Sequence, residues 1–512
     1  MHGVWTAQQI REAEEVLLDR LPDGVLMRRA AHGLALAVRR LVGERCGGAP
    51  GRRVTLLVGA GNNGGDALWA GAELRRAGLA VTAVLLAPDR AHPAGLAAVR
   101  RARGRVLRGD DAGARDAVTG ADVVVDGIVG ISGKGPLREP AAALVEAAGA
   151  AGVPIVAVDL PSGVDADTGT TDGATVAAAL TVTFGARKPV HVLARPRCGE
   201  TVLVDIGLGP RLPEPHAWVL DTADVGERWP IPGPTDDKYT QGVVGVAAGS
   251  ATYPGAAVLA TGSAVLATSG MVRFAGTAAD VVRTHWPEVV GTDDLEQAGR
   301  TQAWAVGPGI GTDDAGYALL SGVLEREVPT CIDADGVTLL AQHADLRAAV
   351  RGRPVVITPH AGEFARVAGD VGTDRIAAAR RAAAELGVTV LLKGSATVVA
   401  DPDGRTLVNT SDNAWAATAG SGDVLTGLVG ALLAAGLEPW WAAGCAAFVH
   451  TRAATLAAER MGGAPGVPAP ASTLQAAVPG AIHEVRQAAL GMGWGAAAPG
   501  GHTDGGAPAL DQ

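Results

Sequence analysis

Lysine is scarce in this 512-residue sequence. Only four of its 43 basic side chains are lysine (Lys134, Lys188, Lys238 and Lys393), and the rest are arginine. Such a skew fits drift in a GC-rich genome, so a lysine that persists marks a place needing a compact, flexible charge. Cysteine is equally sparse: Cys46, Cys198, Cys331 and Cys445 are far apart and form no CxxC pair. Neither a zinc site nor a disulfide framework is suggested, and a reducing compartment fits. No excess of positive charge exists either. The net charge of −10 excludes nucleic acid and anionic membranes as general partners. An anionic ligand must then be held by backbone amides and a few local cations. Long apolar runs are also missing. Residues 255–272 are broken by Gly, Ser and Thr, and 424–437 spans about 14 residues, short of the roughly 20 that a membrane helix needs. The start, MHGVWTAQQIREAEE, turns charged at once and has no apolar signal core. A cytoplasmic protein with no membrane span is expected.

What is present is abundant apolar content, 48% of residues, arranged in short β-type runs that alternate with Ala-rich helical stretches. The first series is VTLLV (54–58), VTAVLL (81–86), DVVVD (122–126), PIVAVD (154–159), LTVTF (180–184) and TVLVDIGLG (201–209). Continuous apolar strands alternating with helices predict an α/β fold with a doubly wound parallel sheet. Residues 9–46 are helical by periodicity. The Pro-rich stretch from 210 reads as a linker. A second series follows: 243–250, 303–311, 330–336, 354–360, 389–394 and 396–404, then a long helical region, 423–460. The expected division is 1–209, a linker at 210–232, 233–490 and a disordered tail at 491–512.

Gly59-Ala60-Gly61-Asn62-Asn63-Gly64-Gly65-Asp66 joins the strand VTLLV to a helix. Glycines let backbone amides approach a phosphate there, and the helix start adds partial positive charge. It is not a GxGxxG fingerprint, so an ordinary dehydrogenase is not implied. Asp126 ends one strand and leads into Gly130-Ile131-Ser132-Gly133-Lys134-Gly135-Pro136. Asp159 ends another and leads into Pro161-Ser162-Gly163. A lone strand-end Asp is most often a cap. Two beside glycine loops, where open sheets bind ligands, point to a site. Thr183 to Pro189 (TFGARKP) supplies a further wall.

Together GAGNNGGD, VVDGIVGISGKGP, DLPSGVDADTG and TFGARKP resemble the NAD(P)H-hydrate epimerase family, over roughly residues 5–209. The resemblance implies a Rossmann-like domain that interconverts the R and S epimers of hydrated NAD(P)H. It implies that Asn62, Asn63, Gly64, Gly65 and Asp66, with Gly130, Ile131, Ser132, Gly133, Lys134, Gly135 and Pro136, embrace the dinucleotide. It also implies a K+ held by Asn63, Asp126 and Ser162, and Asp159 as the substrate-contacting acid/base.

In the second half Gly420-Ser421-Gly422-Asp423 opens the apolar helix VLTGLVGALLAAG. Amides at the helix start suit a phosphate, and the carboxylate suits a hydroxyl proton, as phosphoryl transfer requires. A glycine turn with Asp as N-cap is the plainer alternative. Further loops end neighbouring strands: VGPGIG, DADG, TPHAGE and LKGSAT. With GSGDVLTG they resemble the ribokinase-like, ADP-dependent NAD(P)H-hydrate dehydratase family, over roughly 225–490. The segment before GSGD reads NAWAATAG, a departure from the family's Asn-Pro-Gly-Met-Ala. The resemblance implies that Lys393, Gly394, Ser395, Ala396, Thr397 and Gly422 contact ADP. Ala256, Gly309, His360 and Asp423 would contact the hydrated dinucleotide, with Asp423 catalytic and Mg2+ neutralising the ADP phosphates. The expected partners are hydrated NADH, hydrated NADPH and ADP, with a homo-oligomer as the quaternary state. A small-molecule kinase and a non-enzymatic dinucleotide sensor are the competing readings.

Overall fold

Seven strands form the first sheet of the computed structural model, which describes residues 1–267, 270–411 and 413–491. All its pairings are parallel, in the spatial order Arg105–Arg108, Ala80–Leu85, Arg53–Val58, Val123–Gly127, Ile155–Val158, Leu180–Phe184, Glu200–Val204. The continuous Val/Leu runs suit this arrangement because helices cover both faces. Val25–Cys46, Asn62–Arg76 and Pro93–Arg101 bury one apolar cluster, and Ala112–Thr119 and Ala141–Ala150 bury another. The winding reverses between Arg53–Val58 and Val123–Gly127. The GAGNNGGD loop and Asp126 therefore sit at the topological switch point, where the sheet opens a crevice.

The second sheet has eleven strands. Seven run parallel: Val290–Thr292, Met271–Ala275, Val243–Ala247, Ala303–Val306, Thr330–Ile332, Val355–Ile357 and Thr389–Leu392. Ala396–Ala400 and Thr406–Thr410 then continue it as an antiparallel hairpin. Its switch point lies between Val243–Ala247 and Ala303–Val306, beside the loops 248–250 and 307–311 that follow them. The long helical region is two helices, Ser421–Ala434 and Pro439–Gly462. The first is apolar all round and lies buried between the sheet and its neighbouring helices.

Two expectations need correction. The segment 210–232 is not a plain linker. It contains the strand Ala217–Val219 and the helix Thr222–Arg228, and Trp229 is buried with its indole N–H donating to the Ala267 carbonyl at 3.1 Å. Its prolines masked the apolar residues Val219, Leu220, Val225 and Trp229. Residues 2–4, within the expected unit 1–209, lie in the second sheet. His2–Val4 pairs antiparallel with Ala217–Val219 and so closes the edge of the second sheet. The expected tail, apart from Gly491, lies outside the described residues. Among the described residues, no helix is long and apolar enough to cross a membrane.

Candidate active sites

The first site is a cavity of about 1130 Å³ above the carboxyl ends of the seven-stranded sheet. Gly61, at φ 90°, starts the helix Asn62–Arg76. Gly61, Asn62, Asn63 and Asp66 line the cavity on one side, residues 130–136 line it on another, and Asp159 stands at its floor. Gly64 and Gly65 do not line it. A Cβ on Gly64 would overlap the Gly59 carbonyl oxygen, and one on Gly65 would come within 2.9 Å of Met27 Cε. Those glycines let the helix approach its neighbours closely.

Asp126 is fully buried. Its oxygens accept from Ser162 Oγ (2.7 Å), Ser162 N (2.9 Å) and Ile128 N (3.2 Å). Burial outweighs these hydrogen bonds and pushes its carboxyl up to about 6. Asn63 donates through Nδ2 to the Val158 carbonyl at 3.1 Å. Its Oδ1 therefore faces Gly130, where an added Cβ would come within 3.2 Å. Asp126 and Ser162 are thus joined directly, and Asn63 Oδ1 stands beside Gly130 in the loop that follows Asp126.

Asp159 has φ 69°, a backbone region that side chains disfavour, and such strain concentrates at functional sites. Its Oδ1 accepts from Lys188 Nζ and from Thr183 Oγ1 (3.1 Å). Lys188 is buried, with Thr183 Oγ1 2.9 Å from its ammonium. Asp66 is pushed well above the carboxylate range, first by burial and then by Asp159 and Glu14. Its buried Oδ1 has no hydrogen-bond partner, which leaves a polar atom for a ligand to satisfy. Glu14, also on the cavity wall, is raised by burial and by Asp159, while Lys188 opposes. Three carboxyl groups therefore line this cavity, with the buried Lys188 ammonium against one of them, Asp159.

The second site is assembled by a chain of contacts. Lys393 Nζ lies 2.7 Å from Asp333 Oδ1 and 3.8 Å from Glu363. Thr426 Oγ1 donates to the other Asp333 oxygen at 2.8 Å. Glu363 and His360 form a capping box at the start of Ala361–Ala368: Glu363 Oε2 accepts from His360 N at 2.8 Å, and His360 Nδ1 accepts from Gly362 N at 2.9 Å. A Cβ on Gly422 would stand 3.4 Å from Asp333 Oδ2 and 3.5 Å from Lys393 Nζ, so the GSGD helix start rests on this pair. Ala256 and Gly309 adjoin each other, for a Cβ on Gly309 would lie 3.2 Å from that of Ala256. Asp335 accepts from Gly311 N at 2.9 Å and fixes the GPGIG loop. Asp423 is pushed up to about 7, first by burial, then by the Asp333 charge, with Lys393 opposing. A carboxyl titrating there can exchange a proton near neutral pH. Gly394 and Ser395 are exposed and Thr397 is half-buried, whereas the side chain of Ala396 lies in the core.

Four contributors were not singled out as site residues from sequence. Lys188 and His191 lie in or beside TFGARKP, which was expected only as a wall, although lysine scarcity already marked Lys188. Thr426 and His450 carried no signal. His450 is buried on the helix Pro439–Gly462 and meets the Ser421 carbonyl at 2.8 Å, which steadies the GSGD turn.

The two sheets, each with titratable groups gathered at its strand ends, define an α/β enzyme with two candidate sites. The family model for NAD(P)H-hydrate dehydratase matches residues 244–473, and that for the YjeF-related protein N-terminus matches 23–190. A bifunctional NAD(P)H-hydrate repair enzyme Nnr of Mycobacterium leprae is 55% identical over 476 residues, covering 93% of this chain and 98% of that protein. The Corynebacterium glutamicum protein of the same name is 37% identical, over 85% of this chain and 87% of its own length. A Bacillus subtilis ADP/ATP-dependent NAD(P)H-hydrate dehydratase, co-crystallised with ATP/Mg2+, is 26% identical with a TM-score of 0.45, over 52% of this chain and 97% of that one. The chain belongs to the family of bifunctional NAD(P)H-hydrate repair enzymes.

Proposed function

We propose that the two sites act in turn on one damaged cofactor. The first interconverts the R and S hydrates of NAD(P)H at C6. The second dehydrates the S hydrate at the expense of ADP, releasing AMP and phosphate. The observation that carries this reading is Asp423, a carboxyl pushed up to about 7 at the mouth of a glycine-rich helix start.

Hydroxide is a poor leaving group, and phosphate is a good one. Asp423 takes the proton of the C6 hydroxyl as that oxygen attacks the terminal phosphorus of ADP. Amides of the Gly420–Gly422 turn face the anionic phosphoryl group. The ring nitrogen then expels phosphate, and loss of a ring proton restores the dihydronicotinamide. Lys393 to Thr397 would line the nucleotide side, and His360, Ala256 and Gly309 the dinucleotide side. The described residues include no cluster of three or more His, Cys, Asp or Glu suited to a metal cage. A Mg2+ carried in on the ADP phosphates needs none, because that ion keeps most of its waters.

In the first half, Asp159 moves the proton that epimerisation requires, and residues 130–136 with Asn62 hold the dinucleotide. Asn63, Asp126 and Ser162 suit a K+ in their chemistry: all offer oxygen, and Asp126 is a carboxyl that burial raises to about 6. Bound there, K+ would keep Asp126 ionised and brace the loop at Val129, whose N–H donates to Ser162 Oγ at 3.0 Å. Four unpaired cysteines are consistent with a cytoplasmic setting.

The test is incubation of purified protein with mixed hydrate epimers, Mg2+ and either ADP or ATP, following dihydronicotinamide absorbance. Full conversion of both epimers is expected. Accumulation of a stable phosphorylated product instead would show a kinase.

A further inference from the structure

Residues 187–193 of the N-terminal half are held from several directions. Val190 is buried with Leu160, Val164 and Ala166, beneath the Asp159 turn. His191 points at Asp159 itself. Val192, the next residue, is 6% exposed, and its neighbours are those of the other domain. It belongs to the apolar core of the eleven-stranded sheet, with Val4, Ala217, Val219 and Val408. The turn Val190–Leu193 packs on the strand Thr406–Thr410. Arg187 is tied as well, since its carbonyl accepts from Trp5 N at 2.9 Å. Trp5 directly follows the strand His2–Val4, which pairs into the second sheet.

The geometry fixes the tautomer of His191. Its Nδ1 lies 2.9 Å from Lys188 N, a group that can only donate. The ring proton must therefore sit on Nε2, which donates to the Asp159 carbonyl at 2.8 Å. Burial and the Lys188 charge push the imidazole down to about 3, so it stays neutral. Asp159 N donates to the Val182 carbonyl at 2.8 Å. The strained peptide at φ 69° is thus gripped on both sides, and the carboxylate is aimed by that grip.

We propose that His191 is a positioning residue for epimerisation, and that the C-terminal domain holds it in place by gripping Val192. The N-terminal active site is then completed by the other half of the chain. This rests on the reading of Asp159 as the acid/base of the epimerase.

The test uses the full-length protein. His191→Gln keeps a donor near the Nε2 position and loses the Nδ1 acceptor. His191→Asn keeps an acceptor near Nδ1 and loses the donor to Asp159. A misaimed catalytic group costs up to about 100-fold. Epimerisation kcat should therefore fall about 10- to 100-fold in His191→Asn with little change in KM, and His191→Gln should recover most of it. Val192→Ala touches no polar group. It should slow epimerisation about 3- to 10-fold while dehydration of the S hydrate proceeds as in the wild type. Circular dichroism at the assay temperature confirms that each variant is folded. Equal activity of the Asn and Gln variants overturns the positioning role, and wild-type epimerisation by Val192→Ala overturns the coupling. Asp159→Asn runs in parallel. If it still epimerises faster than the spontaneous rate, the reading of Asp159 fails; if it is inactive, the outcome bears on His191 and Val192 alone.

Discussion

Lys393 Nζ stands 2.7 Å from Asp333 Oδ1, and Thr426 holds the opposite oxygen of the same carboxylate. Asp333 is thus a fixed negative charge near the start of the helix that presents Asp423. Its charge raises Asp423, whereas Lys393 lowers it. Asp333→Asn should therefore shift the acid limb of the dehydration pH profile downward, because Asp423 then ionises more readily. The profile of kcat/KM against pH reports the free enzyme and is the measurement to make. A limb that does not move would separate Asp333 from the titration of Asp423.

Asp423 itself should show a trade between stability and activity. Its folded pKa, about 7, lies above its ordinary value. Folding then favours the protonated form, so its ionisation destabilises the fold progressively as pH rises from about 4 to about 7. Asp423→Asn carries no such charge. The variant should be more stable than the wild type at about pH 8, by on the order of 2–4 kcal/mol, with the gap closing toward about pH 4. Its dehydration turnover should fall at least about 100-fold, the usual scale of general-base assistance. Thermal melts across pH, beside steady-state rates, check both halves.

Much of this was legible because strands buried on both faces read as apolar runs, and the ligand loops follow them directly. Asp126, Asp159, Lys393 and Asp423 could be placed at strand or helix ends from such runs alone. The edges of the second sheet were not legible. His2–Val4 and Ala217–Val219 are three residues long, and the second lies among prolines. Nothing local to either predicts that they would pair across more than 200 residues. His191 was hidden for the same reason: a histidine's role here depends on an Asp159 carbonyl 32 positions away. Gly64 and Gly65 are the reverse case. Glycine beside a phosphate and glycine beside a packed helix look alike in sequence, and here the Cβ clashes point to packing.

Potassium should stabilise the first half in a pH-dependent way. Burial holds the Asp126 carboxyl at about 6, so its ionisation costs stability as pH rises from about 4 to about 6. A bound K+ favours the ionised form. The gain in melting temperature from adding K+ should accordingly grow between about pH 5 and about pH 8. Asp126→Asn should flatten that dependence. Differential scanning fluorimetry in potassium and in a bulky organic cation, at matched ionic strength, gives the comparison. An unchanged gain in the variant would move the ion elsewhere.

Gly307 gives a test that separates the two sites. Its φ is 126°, and an added Cβ would overlap the Asp333 carbonyl oxygen. An alanine there meets an unfavourable backbone region and a backbone clash together. Relief requires the GPGIG loop to move away from the strand end that carries Asp333. That movement would disturb Asp333, its bond to Lys393, and the support beneath Asp423. Gly307→Ala should therefore lose on the order of 2–4 kcal/mol of stability in the C-terminal domain. It should also lower dehydration far more than epimerisation, because the clash lies in the second sheet and far in the chain from the segment that aims Asp159. Chemical denaturation followed by tryptophan fluorescence reads the first effect, since Trp304 lies buried on the strand leading into Gly307. Parallel rates with the R and S hydrates read the second. Equal losses in the two reactions would mean that the domains share strain more widely than the contacts around Val192 imply.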